Sequence, residues 1–168
     1  MPNKIGDTVS VQISIKKITL IDYHIDEDLY TGSEKDEVNF QISQKTVFKV
    51  GQELADFFIT FTYTYLHNKE KFISITVLSQ FKIEGLAVIQ GFNEKEATVE
   101  NAAIPRVIIV QCFSLAISNT RAMLFQNLAT SVFNEKVNFG IINPEEIANV
   151  LYPEGETFKL DKVQIKST

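Results

Sequence analysis

The chain has 168 residues, 45% of them hydrophobic and 22% charged, the balance of a globular protein long enough to bury roughly two-thirds of its unfolded surface. Its net charge is −5 and its pI is near 5.1. The 16 basic residues are scattered, and phosphate backbones are gripped by clustered Lys and Arg, so nucleic acid is not an expected partner.

Residues 8 to 22 alternate. Val9, Val11, Ile13 and Ile15 fall on one side, and Ser10, Gln12, Ser14 and Lys16 on the other. That period of two predicts a half-buried strand. The phase is lost near Ile18, Leu20 and Ile21, where a bulge or the strand end is expected. Residues 23 to 36 read as a loop around Thr31-Gly32-Ser33. Tyr23, Ile25, Leu29 and Tyr30 are large for a solvated loop. A loop with such side chains either packs on the protein or binds something.

Three further strands are predicted over residues 37 to 50, 54 to 67 and 71 to 84. The second of these is strongly aromatic, with Phe57, Ile59, Phe61, Tyr63 and Tyr65 on one face and Phe58, Thr60, Thr62, Thr64 and Leu66 on the other. The last places Ile73, Ile75, Val77, Phe81 and Ile83 together. Short links suggest antiparallel pairing with one face covered. Glu94, Glu96 and Glu100 suggest a short helix before residue 103.

A long helix is predicted from Ile104-Pro105 to about Asn127, with the proline in its first turn. Ile109, Phe113, Ala116, Ile117 and Leu124 form one apolar stripe, and Ile108, Cys112, Leu115 and Ala122 a second. A sheet covers one side of a helix, so the second stripe points to an oligomer, with Ile108, Cys112, Leu115 and Asn119 as interface candidates. Residues 107 to 120 hold fourteen uncharged residues, short of the ~20 that cross a bilayer, so a buried helix is expected. Residues 137 to 142 read as extended. Asn143-Pro144-Glu145-Glu146 opens a final short helix, with an Asn cap, a proline in the first turn and acids at the positive end. The tail reads as extended.

Cys112 is the one cysteine, which excludes an internal disulfide and fits a reducing compartment. The N-terminal MPNKIGDTVS lacks a signal-peptide apolar run, so a cytoplasmic location is expected. His24 and His67 match no metal-ligand spacing with Cys112, and the acids at 26 to 28 and 34 to 37 lack the glycine-centred spacing of a calcium loop. No Gly-rich phosphate loop and no GxSxG is present. The expectation is a non-enzyme without a cofactor. Binding candidates are the aromatic and apolar residues in or beside irregular segments: Tyr23, Ile25, Leu29, Tyr30, Met123, Leu124, Phe125, Phe139, Ile141 and Ile142.

In element order and in short motifs the chain resembles the SecB-type protein-export chaperones. Val11 to Leu20 (VQISIKKITL) and the following loop resemble the family's first strand and crossover. Phe81-Lys82-Ile83-Glu84-Gly85 resembles its FxIxG segment. Ile104-Pro105-Arg106 and Val137-Asn138-Phe139 stand where the family has LFPYAR-like and PVNF-like phrases. The aligned elements cover about residues 8 to 151. The resemblance implies one α+β domain over residues 1 to 168: a four-stranded antiparallel sheet on one long helix, with a short C-terminal helix. It implies an ATP-independent holdase for non-native polypeptides, a homotetramer built as a dimer of dimers with the long helices between dimers, and the SecA translocase motor as a possible partner. The family's Pro- and Gly-containing turn after the long helix is missing, and its motor-docking tail has no clear match. That leaves open a chaperone linked to a toxin–antitoxin system, or a specific binding module for one partner or one apolar ligand.

Overall fold

The structure is a computed structural model describing residues 11–29, 37–49, 52–66, 68–85, 92–93, 98–99, 102–134, 137, 143–151, 157–160 and 163–164. Four long strands form one antiparallel sheet: β1 (Gln12–Ile25), β2 (Val38–Lys49), β3 (Leu54–Tyr65) and β4 (Lys71–Glu84). Their spatial order is β1-β4-β3-β2. The link from β1 to β2 therefore joins opposite edges, three strand spacings or about 14 Å apart. The long helix α1 (Arg106–Leu128) lies over β3 and β4 and touches β1 only slightly. The class is α+β, as the alternating and helical patterns predict.

The core sits between α1 and one sheet face. Phe57, Ile59, Phe61 and Tyr63 of β3 and Ile73, Ile75, Val77, Phe81 and Ile83 of β4 are all but fully buried there. The aromatic rings meet mostly edge-on or tilted, as their quadrupoles favour; Phe57 and Phe81 are 5.6 Å apart at 81°. Pairing slips between Tyr63 and Thr64, which turns Phe72 inward beside Ile73. Phe72 then stacks on Tyr65 at 4.3 Å and meets Phe133 at 5.1 Å.

The edge strand β1 departs from the expected 8-to-22 span by starting at Gln12 and running on to Ile25. Tyr23 and Ile25 are thus strand residues, paired with Ile75 and Ile73, rather than loop residues. Two bulges, between Ile15 and Lys17 and between Leu20 and Asp22, reset the phase. They keep Ile13, Ile15, Ile18, Leu20, Tyr23 and Ile25 opposite residues of the helix-facing side of β4, or beside them. The alternation broke near Ile18 because the ladder itself is bulged there. After β1 comes one 3-10 turn, Glu27–Leu29.

Between the sheet and α1, Glu94, Glu96 and Glu100, on which the expected short helix rests, lie outside the described residues. The described residues of that stretch form short strands β5 (Phe92–Asn93), β6 (Thr98–Val99) and β7 (Ala102–Pro105), and β5 pairs with β6. The tail supplies their partners: β8 (Thr157–Leu160) pairs with β7, and β9 (Val163–Gln164) with β6. Pro105 closes β7, one residue before α1, and Arg106 starts the helix. The final helix α2 (Pro144–Leu151) begins as expected, with Asn143 Oδ1 accepting from the Glu145 amide at 3.0 Å. Arg106 ties the two helices, donating to the Glu145 carbonyl and to Asn149 Oδ1.

Candidate functional site

Among the described residues, the exposed large apolar side chains fall mainly in two places. The first is β1, where Val11, just before it, and Ile15, Ile18, Leu20 and Ile21 are 36–51% exposed. The second surrounds the far end of α1 and the adjoining strand ends: Phe125 at 55%, Val132 at 40%, Val38 at 46% and Leu66 at 50%. Val107 and Leu115 add apolar surface along the outward side of α1.

The second place gathers several of the residues singled out from sequence. Tyr23, Ile25, Leu29 and Met123 are half-buried and pack against the core cluster. The Tyr23 hydroxyl donates to the Asn127 carbonyl at 3.5 Å, and the Val132 amide donates to Glu27 Oε1 at 3.2 Å. Burial, then the Glu27 carboxylate, holds the Tyr23 phenol above its ordinary pKa. The end of β1 and its 3-10 turn are thereby fastened to the end of α1. These contacts also account for a helix that stops without Pro or Gly. Ser131 caps it from beyond, with both its amide and its hydroxyl donating to the Leu128 carbonyl at 2.9 Å.

Phe125 is the candidate that faces outward. Leu124 does not: it is 0% exposed and belongs to the core. Tyr30, Phe139, Ile141 and Ile142 lie outside the described residues. The interface candidates also divide. Leu115 is exposed at 41%, but Ile108 and Cys112 are buried at 6% and 0% inside their own chain. The reason is geometric. Buried positions 108, 109, 112, 113, 116, 117, 120, 124 and 128 form one broad side of α1, wide enough to take the first stripe together with Ile108 and Cys112 of the second, while Leu115 and Ala122 stay outside it. Asn119 is half-buried and donates to Ser79 Oγ at 3.0 Å. The sequence pattern missed Val38, Leu66 and Val132, whose alternation or helix-end position carries no sign of exposure.

Reaction chemistry does not assemble around the cysteine. Burial pushes the Cys112 thiol up to about 12, so it stays protonated and unreactive. His24 is exposed and pairs with Ser74 on the sheet face away from α1, while Cys112 lies beneath the helix. His67 is outside the described residues. Among the described residues no three His, Cys, Asp or Glu side chains group to hold a metal ion. By length and composition α1 is apolar enough to cross a bilayer, yet its broad inner side is packed on its own sheet. No protein-family model matches the chain, and no curated protein matches it.

Proposed function

We propose that the protein is an ATP-independent holdase that binds non-native polypeptide. The observation that carries this reading is the apolar surface at the far end of α1. Phe125 and Val132 are exposed on and just past that end, where the Asn127 carbonyl accepts from half-buried Tyr23, and Val38 and Leu66 are exposed at the start of β2 and just after β3. Large apolar residues gathered at one end of a globular chain usually mark a partner surface. Such a surface gains from burying any apolar side chain, so it need not read sequence. Several such sites on one oligomer would raise avidity without nucleotide. The SecB-like element order supports the same reading and adds the dimer of dimers as its assembly.

The test is light scattering from a heat- or dilution-unfolded client, with and without the protein and without ATP. The expected result is suppression of aggregation at near-stoichiometric ratios for several unrelated clients. No effect on any of them overturns the reading. Suppression confined to a single client would favour the second reading, a chaperone dedicated to one partner such as a toxin–antitoxin component. Co-sedimentation with SecA separates an export role from that one.

A further inference from the structure

We infer that the sheet face turned away from α1 docks an extended acidic segment of a partner protein, with Lys17 and Lys45 taking its carboxylates and Phe58 and Leu78 the apolar side chain between them. On β4, Val77, Ser79 and Phe81 are buried towards the helix, so Leu78, Gln80 and Lys82 point the other way. Pairing extends that face to the other strands. One row across it runs Thr19, Leu78, Phe58 and Lys45. The next row sets Lys17 at the β1 edge and Asp56 on β3, and the one after it holds Lys82 and Lys49. Lysines scattered along the sequence are thus brought to one end of one face. Four of them stand there with two carboxylates, Asp56 and Glu84, in a chain where acids outnumber bases by 21 to 16. The sign of that end is opposite to the sign of the whole chain, which selects an acidic partner.

Two of the four lysines are already engaged. Lys49 Nζ donates to Asp56 Oδ2 at 2.5 Å and Lys82 Nζ to Glu84 Oε1 at 2.7 Å. Lys17 and Lys45 are exposed and have no carboxylate partner among the described residues. Lys45 Nζ stands 6.0 Å from the centre of the Phe58 ring. Phe58 and Leu78 are half-buried, so part of their apolar surface stays bare between the two free cations. Register sets the spacing. Lys17 and Lys45 lie on opposite edge strands, three strand spacings or about 14 Å apart across the sheet. An extended chain covers that in about four residues. Acids at positions i and i+4 then reach both lysines, and the side chain at i+2 faces the same way and meets Leu78 and Phe58. A nucleic-acid strand fits less well. Phe58 is the one aromatic ring on this face among the described residues, and Lys45 stands over it, whereas bases stack on open rings. Asp56 and Glu84 would also stand against the phosphates.

This docking does not rest on client capture, and a peptide titration reads it separately from light scattering. The probe is a fluorescein-labelled peptide in which Glu, Leu and Glu alternate with Ser, followed by anisotropy against the full chain at low salt. The expected result is saturable binding that weakens as salt is raised and is several-fold poorer when both Glu are replaced by Gln or the Leu by Ser. Lys17→Glu and Lys45→Glu should each weaken it about fivefold. Both lysines are exposed, so the unfolding midpoints should not move. Lys71→Glu is the control: it changes the net charge equally at the other end of β4, where Lys71 is exposed opposite Thr64, and should leave binding intact. A Gln peptide bound as tightly as the Glu peptide overturns the proposal, and so does a loss at Lys71→Glu equal to that at Lys17→Glu. A labelled oligothymidylate or anionic phospholipid vesicles held more tightly than the peptide through Lys17 and Lys45 would overturn it too, in favour of a nucleic-acid or membrane surface. A protein that suppresses client aggregation yet ignores the peptide loses this proposal and keeps the holdase reading.

Discussion

Asn119 of α1 and Ser79 of β4 are joined by a 3.0 Å hydrogen bond inside the layer between helix and sheet, where Ser79 is fully buried. It sets a polar contact on the β4 face that otherwise carries Val77 and Phe81. A buried hydroxyl that loses its partner bears its full desolvation cost. Asn119→Ala should therefore cost about 1–3 kcal/mol, while Asn119→Ala combined with Ser79→Ala should cost less than Asn119→Ala alone. Urea unfolding midpoints at unchanged slope decide it. A double variant less stable than either single one would show that the pair does not act through hydrogen bonding.

Cys112 gives a pH prediction with a definite sign. Below about 8.5 the thiol is protonated in the unfolded chain as well as the folded one. Between there and about 12 the unfolded chain sheds the proton and the folded chain keeps it. The unfolded state then binds fewer protons, so stability falls as pH rises, by up to ~1.4 kcal/mol per pH unit from this group. Tyr23 and Tyr63, both raised chiefly by burial, push in the same direction near and above pH ~10. Cys112→Ala should lose stability less steeply from pH 8.5 to 9.5 than the parent. Parallel slopes for the two proteins would mean that the thiol is ionised in the folded state.

The ion pair at the far end of the sheet makes a third prediction. Asp56 is 5% exposed and receives Lys49 Nζ at 2.5 Å and Gln80 Nε2 at 2.7 Å, so one carboxylate ties β2, β3 and β4 together. Lys49 is itself part-exposed, which moderates its share. Gln80→Ala should cost about 1.5–3 kcal/mol, since it takes a hydrogen bond from a buried charged group. Lys49→Ala should cost less. Thermal unfolding of the two variants checks the order, and the reverse order would assign the main role to the ion pair.

The strands and helices were legible where one physical rule dominated. The aromatic alternation of β3 and β4 and the Asn143-Pro144 start of α2 needed no tertiary information. Burial on α1 was less so. Ile108 and Cys112 read as a second stripe because sequence spacing fixes angle around the helix but not the width of the surface that covers it. Tyr23 and Ile25 read as loop residues because the bulges that keep them in register with β4 depend on a partner strand 50 residues away. The strands β6 and β7 pair with the tail strands β9 and β8, still farther along the chain, a pairing that local propensity does not carry.

Stability and client capture should separate at the far end of α1. Phe72 is 2% exposed and stacks between Tyr65 and Phe133, so Phe72→Ala should cost about 3–5 kcal/mol through the cavity it leaves. Phe125 is 55% exposed, and Phe125→Ser should change stability by only about 0.5 kcal/mol, while removing an exposed apolar ring from that end of α1. If that surface holds clients, Phe125→Ser should suppress their aggregation several-fold less well at an unchanged unfolding midpoint. Full suppression by a stable Phe125→Ser protein would place the client contacts elsewhere on the chain. A large drop in its midpoint would instead make Phe125 a packing residue, and the capture assay would then have to be repeated with Leu66→Ser, where exposure is 50%.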